Sequence, residues 1–168
     1  MTGSYVAGGD AALISARAAG ASGIGPTAGA GLEDSVTTLV RWATRHDVQT
    51  AVMRRAQSSL PLSHVWLLVR IATCGPCHPS DLASSFGVDN STITPKLQRL
   101  ESEELVKRRP DPTDRRAALV ETTPSGIRLL GRLRRARAAI LEERLEALPQ
   151  ARRLDVVTAL SDLASILE

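Results

Sequence analysis

Two stretches of the chain concentrate side chains able to recognise or react with something. The first is Asp89–Glu101, DNSTITPKLQRLE. At about 100° per residue, Ile93, Leu97 and Leu100 fall on one side of a helix. Ser91, Pro95, Gln98, Arg99 and Ser102 fall opposite, with Thr92 and Thr94 on the flanks. Asp89 is placed to cap that helix, its carboxylate accepting an amide of the first turn. A face of hydroxyls, one amide and one guanidinium suits a major groove, where such groups read base edges and Arg favours guanine. It equally suits an ordinary solvated helix, and the segment after Glu101 decides between the two.

The second stretch is Cys74-Gly75-Pro76-Cys77-His78. As C-x-x-C it matches a thioredoxin-type redox motif, but no βαβ pattern surrounds it. As C-x-x-C-H it matches c-type haem attachment, yet no export signal is expected. As a metal site it supplies three ligands, with only His64 and His46 left to offer a fourth. The plain reading makes Cys77 a small buried residue and Cys74 an incidental thiol. The chemical reading is a redox switch: Gly-Pro allows the two α-carbons to approach within the roughly 4.4–6.8 Å a disulfide needs. The positive end of the helix beginning near His78 would then lower the Cys77 thiol pKa.

Trp42 and His46 on one helix, with His64 and Trp66 on the next, form a candidate ligand pocket; the bland alternative is that they are core residues. No Ser/His/Asp set, paired carboxylates or phosphate-binding glycine loop occurs. No enzymatic activity, metal or cofactor is expected.

The elements that must position these residues follow from composition and period. A chain of 168 residues is one domain, here with a tail. Its apolar fraction of 43% is almost entirely aliphatic, with Tyr5, Trp42, Trp66 and Phe86 the only aromatics. Abundant Ala and Leu favour a mostly helical chain. A net charge of +3 is mild, so nucleic-acid binding has to come from local arrangement. No apolar run approaches the roughly 18 residues that span a membrane. The N-terminus lacks a basic signal-peptide region, so a cytoplasmic location is expected and a structural disulfide is not.

Residues 1–31 are rich in Ala, Gly and Ser and read as a disordered tail. A single domain is expected over 32–168. The helical pattern starts at Leu32, continues through Val36, Leu39/Val40 and Ala43, and bends at Arg45–His46–Asp47, giving a dimerisation segment over about 33–58. A helix opening near Pro61 carries Leu62, Val65, Trp66, Val69 and Ile71 inward and stops at Cys74–Gly75–Pro76. Pro79 suits the first position of a short helix burying Leu82, Ala83 and Phe86, with Gly87 to end it. Two short helices joined by a turn of this length are a helix-turn-helix unit.

Leu105–Arg109 and Arg115–Thr122, around a Pro/Asp turn, read as a β-hairpin crowded with arginines. A solvated hairpin whose arginines pair with Asp111 and Asp114 is the alternative to one that touches DNA. The helix-turn-helix and hairpin together span about 61–122 and make a winged arrangement. Thr123 and Pro124 then start a long helix with Ile127, Leu130, Leu133, Ile140/Leu141, Leu145 and Leu148 as its stripe. Pro149 interrupts it before a last helix with Leu154, Val157, Leu160, Leu163/Ala164 and Leu167. Helices surplus to a winged core at both chain ends suggest a dimer interface, the second part of it over 123–168. The fold class is mainly α with a small β-hairpin wing, flanked by dimerisation helices.

From about Ser35 to the C-terminus the chain resembles the MarR family of bacterial transcription regulators. The resemblance is strongest over SDLASSFGVDNSTITPKLQRLESEELVKRRPDPTDRRAALVETTPSG. Asp114 and Arg116 stand at the family's D-x-R wing motif, and Gly126 at the glycine after the wing. The resemblance implies an obligate homodimer on a pseudo-palindromic site in double-stranded DNA, often released by a small ligand or oxidant. The DNA-facing set is then Ser91, Thr92, Thr94, Pro95, Gln98, Arg99, Asp114, Arg115 and Arg116.

Three departures stand out. Thr122 replaces the usual Leu before the capping Thr, and Pro95 sits inside the recognition helix. The Thr-Pro pair is similar to that of organic-hydroperoxide-sensing members, but no cysteine lies near the start of the first long helix. Two alternatives to a DNA-binding repressor remain: a thiol-disulfide redox protein using Cys74 and Cys77, and a winged interaction module without DNA binding.

Overall fold

The computed structural model describes residues 27–114 and 117–167. The tail expected over 1–31 lies outside the described residues up to residue 26, as do Arg115 and Arg116. Among the described residues the helices are α1 (Ala28–Thr44), α2 (His46–Arg55), α3 (Leu62–Cys74), α4 (Pro79–Ser85), α5 (Asn90–Ser102), α6 (Pro124–Leu145) and α7 (Gln150–Leu167). Strands β1 (Val106–Pro110) and β2 (Ala118–Thr122) lie between α5 and α6. This is the mainly helical chain with a hairpin wing that the sequence predicts. It separates into two units, divided between Thr44 and Arg45.

In the first unit, α1 opens at Ala28 rather than Leu32, and its Leu32, Val36, Leu39 and Val40 are all exposed.

The second unit begins at the predicted bend. Arg45 leaves helical geometry and grips Asp47 through two hydrogen bonds of 3.0 and 2.9 Å. Asp47 lies in the first turn of α2, where a carboxylate is favoured by the helix dipole. At the other end of α2, Arg132 Nε of α6 donates to the Ala56 carbonyl at 2.9 Å, and Arg55 pairs with Glu143 at 2.7 Å. A cation on terminal carbonyls is the favourable sense of the same dipole.

On α3 the buried residues are Val65, Leu67, Leu68 and Ile71. Trp66, expected inward, is 53% exposed, because one residue past Val65 turns it about 100° from the core. On α4, Leu82 and Ala83 are buried, but Phe86 is 40% exposed. Phe86 is already the C-cap, with the chain leaving the helix. Gly87 follows at φ 62°, the left-handed conformation that ends the helix and that glycine adopts without a Cβ penalty.

Ile93, Leu97 and Leu100 of α5 are each no more than 2% exposed. Full burial of such a side chain is worth about 1.5–3 kcal/mol, so this seam fixes which face of α5 points out. Asp89 is the N-cap residue, yet its carboxylate makes no cap bond. The Thr92 amide is instead taken by the Asp89 carbonyl at 2.9 Å. Backbone closure has displaced the side-chain cap.

Glu104 follows α5 at φ 56° with its side chain exposed. A Cβ in the left-handed region costs roughly 1–2 kcal/mol, partly offset by the larger entropy glycine loses on folding. Glu104→Gly is therefore expected to raise stability by roughly 1 kcal/mol, read as a higher urea midpoint at unchanged m-value. A variant no more stable than wild type would show that the turn carries no strain.

The hairpin pairs Val106 with Thr122 and Pro110 with Ala118. Cys77 adds a bridge to Val120, with its amide donating to the Val120 carbonyl at 3.1 Å and the Val120 amide donating back at 2.9 Å. The chain entering α4 is thus tied to the wing. Thr123 caps α6 as predicted: its Oγ1 accepts from the Gly126 amide at 3.1 Å and donates to the Glu104 carbonyl at 2.6 Å. The Thr122 hydroxyl, at the departure from the family pattern, is buried with no hydrogen-bond partner.

The buried stripe of α6 is Gly126, Leu129, Leu133, Ala136 and Ile140. Ile127, expected on it, is 61% exposed. The close seating of Gly126 under Leu105 sets this rotation. Nothing on α7 is buried. Among the described residues no helix is long and apolar enough to cross a membrane.

Candidate nucleic-acid interface

The seam of α5 turns Ser91, Thr94, Pro95, Gln98 and Arg99 into solvent, with Thr92 half-buried at the edge. The helix runs through Pro95 without interruption from Asn90 to Ser102. Proline has no amide to offer the Ser91 carbonyl, and one turn earlier Thr94 Oγ1 donates to the Asn90 carbonyl at 2.8 Å. That bond uses the hydroxyl proton, so Thr94 faces outward as an acceptor. Arg99 Nε pairs with Glu103 at 2.7 Å, which steadies the guanidinium on an exposed side chain.

The cations of β1 are committed within the domain. Arg108 pairs with Glu101 of α5 at 2.6 Å, while Lys107 and Arg109 share the Glu121 carboxylate at 3.0 and 3.1 Å. For these β1 cations the partners are Glu101 and Glu121. The Arg108 bridge also fixes the C-terminal turn of α5 against the wing. Asp114 donates its amide to Asp111 Oδ1 at 3.3 Å, and Arg115 and Arg116 lie outside the described residues.

Within the second unit the candidate pocket residues His46, His64 and Trp66 have different surroundings. Trp42 belongs to the first unit. His46 lines a cavity of about 250 Å³ with Gln49, Thr50, Met53, Leu60 and Leu62. His64 lies instead beside the recognition helix: burial first, then the Lys96 and Arg99 cations, push its imidazole below the ordinary value, with Glu103 opposing. Trp66 is on the exposed side of α3.

Cys74 is exposed at the end of α3 and Cys77 half-buried, both as free thiols. The expected lowering of the Cys77 pKa is reversed. Burial pushes the thiol up, Cys74 and Asp81 add to it, and Arg70 opposes. Helix α4, which follows, has only seven residues. Among the described residues no group of three or more His, Cys, Asp or Glu could hold a metal ion.

Residues 60–118 match the model of the MarR family. The transcriptional repressor NicR of Pseudomonas putida is 45% identical over 56 residues, which is 33% of this chain and 35% of NicR. That match spans about a third of the relative's length. The helix-turn-helix transcriptional regulator ML2140 of Mycobacterium leprae is 34% identical over 125 residues, covering 70% of this chain and 87% of that protein. Among solved structures, a mutant of S. aureus MepR bound to an oligodeoxyribonucleotide superposes with a TM-score of 0.59 at 19% identity, covering 79% of this chain and 98% of that one. These relatives are transcriptional regulators and not enzymes. The family match covers the helix-turn-helix and the hairpin as far as Ala118, and the longer match extends beyond them: the chain belongs to the MarR family of winged-helix transcriptional regulators.

Proposed function

We propose that this regulator is a cytoplasmic homodimeric repressor. Two copies would set their α5 helices in half-sites of a pseudo-palindromic operator about one turn of B-DNA apart, roughly 34–36 Å. The observation that carries the reading is the two-sidedness of α5. Three buried apolar residues lock it to the domain, and every exposed polar residue on the far side can hydrogen-bond a base edge. Arg115 and Arg116, with Asp114 before them, would reach the flanking backbone or minor groove from the wing. Support comes from the MepR structure, which holds DNA, and from NicR, which is named a repressor.

The apolar side chains left exposed on α1, and those on α7, are what a second copy would cover. For release, the cavity beside His46 favours a small ligand. The upward shift of the Cys77 thiol favours oxidant sensing less, since the thiolate is the reactive form.

The test is binding-site selection from a random duplex pool with wild type, Gln98→Ala and Arg99→Ala. Each base contact removed should cost about 1–3 kcal/mol of discrimination at its position, beyond any general fall in affinity. If all three proteins return the same motif, this face does not read DNA.

A further inference from the structure

His78 stands where the helix-turn-helix meets the wing. It is the N-cap residue of α4, the helix that packs behind α5, but it makes no cap bond with its side chain. The preceding residue, Cys77, is the one hydrogen-bonded in both directions to Val120 of β2. The His78 ring points the other way, and its Nε2 lies 3.0 Å from Asp111 Oδ2 at the far end of the hairpin.

Asp111 is the only charged residue in the core of the described chain, at 7% exposure. Its two oxygens do different jobs. Oδ1 closes the turn at the wing tip, accepting from the Thr113 amide and hydroxyl, both at 2.6 Å, and from the Asp114 amide at 3.3 Å. The Asp111 amide meanwhile donates to the Ala117 carbonyl at 3.1 Å. Oδ2 faces His78. The hydrogen bonds from Thr113, with smaller help from the Asp114 amide and His78, hold this carboxyl below the usual carboxylate range despite its burial. A buried carboxylate needs a donor on each oxygen, and the group placed to serve Oδ2 is His78 Nε2, at 3.0 Å.

We propose that His78 is a positioning residue for DNA binding: through Asp111 it holds the wing tip, as far as Asp114, against the helix-turn-helix. The bond is available to a neutral imidazole protonated on Nε2 and to the imidazolium alike. Without it the wing tip loses its anchor to α4, and the turn that Asp111 Oδ1 closes is held less firmly. The proposal rests on the DNA-binding reading above.

The experiment compares wild type, His78→Ala, His78→Gln and Asp111→Asn, using the duplex that wild type selects from a random pool. Glutamine keeps an N–H donor at the end of its side chain; alanine removes it; Asp111→Asn allows an NH₂ to face the His78 donor. Two readouts are taken: amide exchange at Thr113 and Asp114 in the free protein, and affinity as a function of salt.

His78→Ala and Asp111→Asn should speed exchange at both amides. They should lower affinity roughly three- to tenfold and make the salt slope shallower by about one unit for each phosphate that the wing no longer reaches. His78→Gln should recover most of each effect. Wild-type exchange, affinity and slope in His78→Ala would overturn the proposal. So would an equal loss in His78→Gln, since that would mark a packing role. If His78→Ala does not fold, His78→Phe, which keeps a ring and removes the donor while leaving the Asp111 side chain in place, makes the same distinction. Should wild type select no duplex, it is the DNA-binding reading that fails, and the exchange arm alone still decides whether His78 anchors the wing.

Discussion

Replacing Leu160 by glutamate is expected to turn the protein into a monomer in the low micromolar range and to weaken operator binding by roughly a hundredfold or more. Helix α7 runs for 18 residues with no buried residue, and Leu154 on it is 69% exposed. A helix of that length is marginal in water without a packed face. Val157, Leu160, Ile166 and Leu167 are likewise uncovered in the single chain. In a twofold interface each substitution occurs twice, so one Leu160→Glu change places two carboxylates in the same apolar contact. Neither has a partner there, and an unpaired buried charge is among the most costly groups to bury. The loss of DNA affinity is then a matter of linkage. A dimer holds its second winged domain over the second half-site at an effective concentration near millimolar, and a monomer forfeits that gain. Sedimentation velocity and duplex titration of the variant decide the matter, with Leu160→Met as the conservative control. A wild-type monomer, or a Leu160→Glu dimer that binds normally, would remove the dimer from the account.

The parts of this fold that were legible in the sequence are those set by local backbone chemistry. Pro79, Gly87 and the Thr123–Pro124 pair each mark a helix end by what their backbones can or cannot do, and each stands at that end in the structure. The seam of Ile93, Leu97 and Leu100 was legible because three apolar residues on one helical face leave little choice of rotation. Where an apolar run is continuous, period says less. The stretch from Val65 to Val69 is all apolar, so nothing local told Trp66 from Leu67, and on the α6 stripe Leu129 is buried where Leu130 was expected. Packing by neighbours far along the chain chose between them.

Pairings between distant residues left no local trace. The bridge from Cys77 to Val120 is a single residue pair and so has no alternation to read. Arg108 with Glu101, and His78 with Asp111, depend on where β1 and the wing tip come to rest. The same limit explains the cysteines. A thiol at a helix start suggested a lowered pKa, whereas in the folded chain burial pushes the Cys77 thiol up. In the candidate interface, the outward face of α5 was readable in advance, whereas the anchoring of the wing behind it was not.

Gly126→Ala is expected to destabilise the protein by about 3 kcal/mol, while Gly131→Ala, five residues along the same helix, should stabilise it by roughly 0.8–1 kcal/mol. Both glycines lie in α6, where alanine is the better helix former, so propensity alone assigns them the same gain. Surroundings separate them. A Cβ on Gly131 would meet only the end of the Arg135 side chain, at 3.6 Å, an ordinary contact. A Cβ on Gly126 would run into the Leu105 carbonyl oxygen and come within 2.7 Å of Thr122 Cγ2. That carbonyl cannot step aside, because it accepts the Thr123 amide at 3.0 Å and belongs to the turn that Thr123 Oγ1 also holds through Glu104. Relieving the clash means lifting the start of α6 off the end of the recognition helix, at the expense of those bonds. The cost is a sizeable share of the roughly 5–15 kcal/mol by which a typical domain is stable. Urea denaturation at one fixed protein concentration measures both variants. Opposite signs are the expected outcome; a Gly126→Ala variant as stable as wild type would mean that α6 and Leu105 are not held in this close contact.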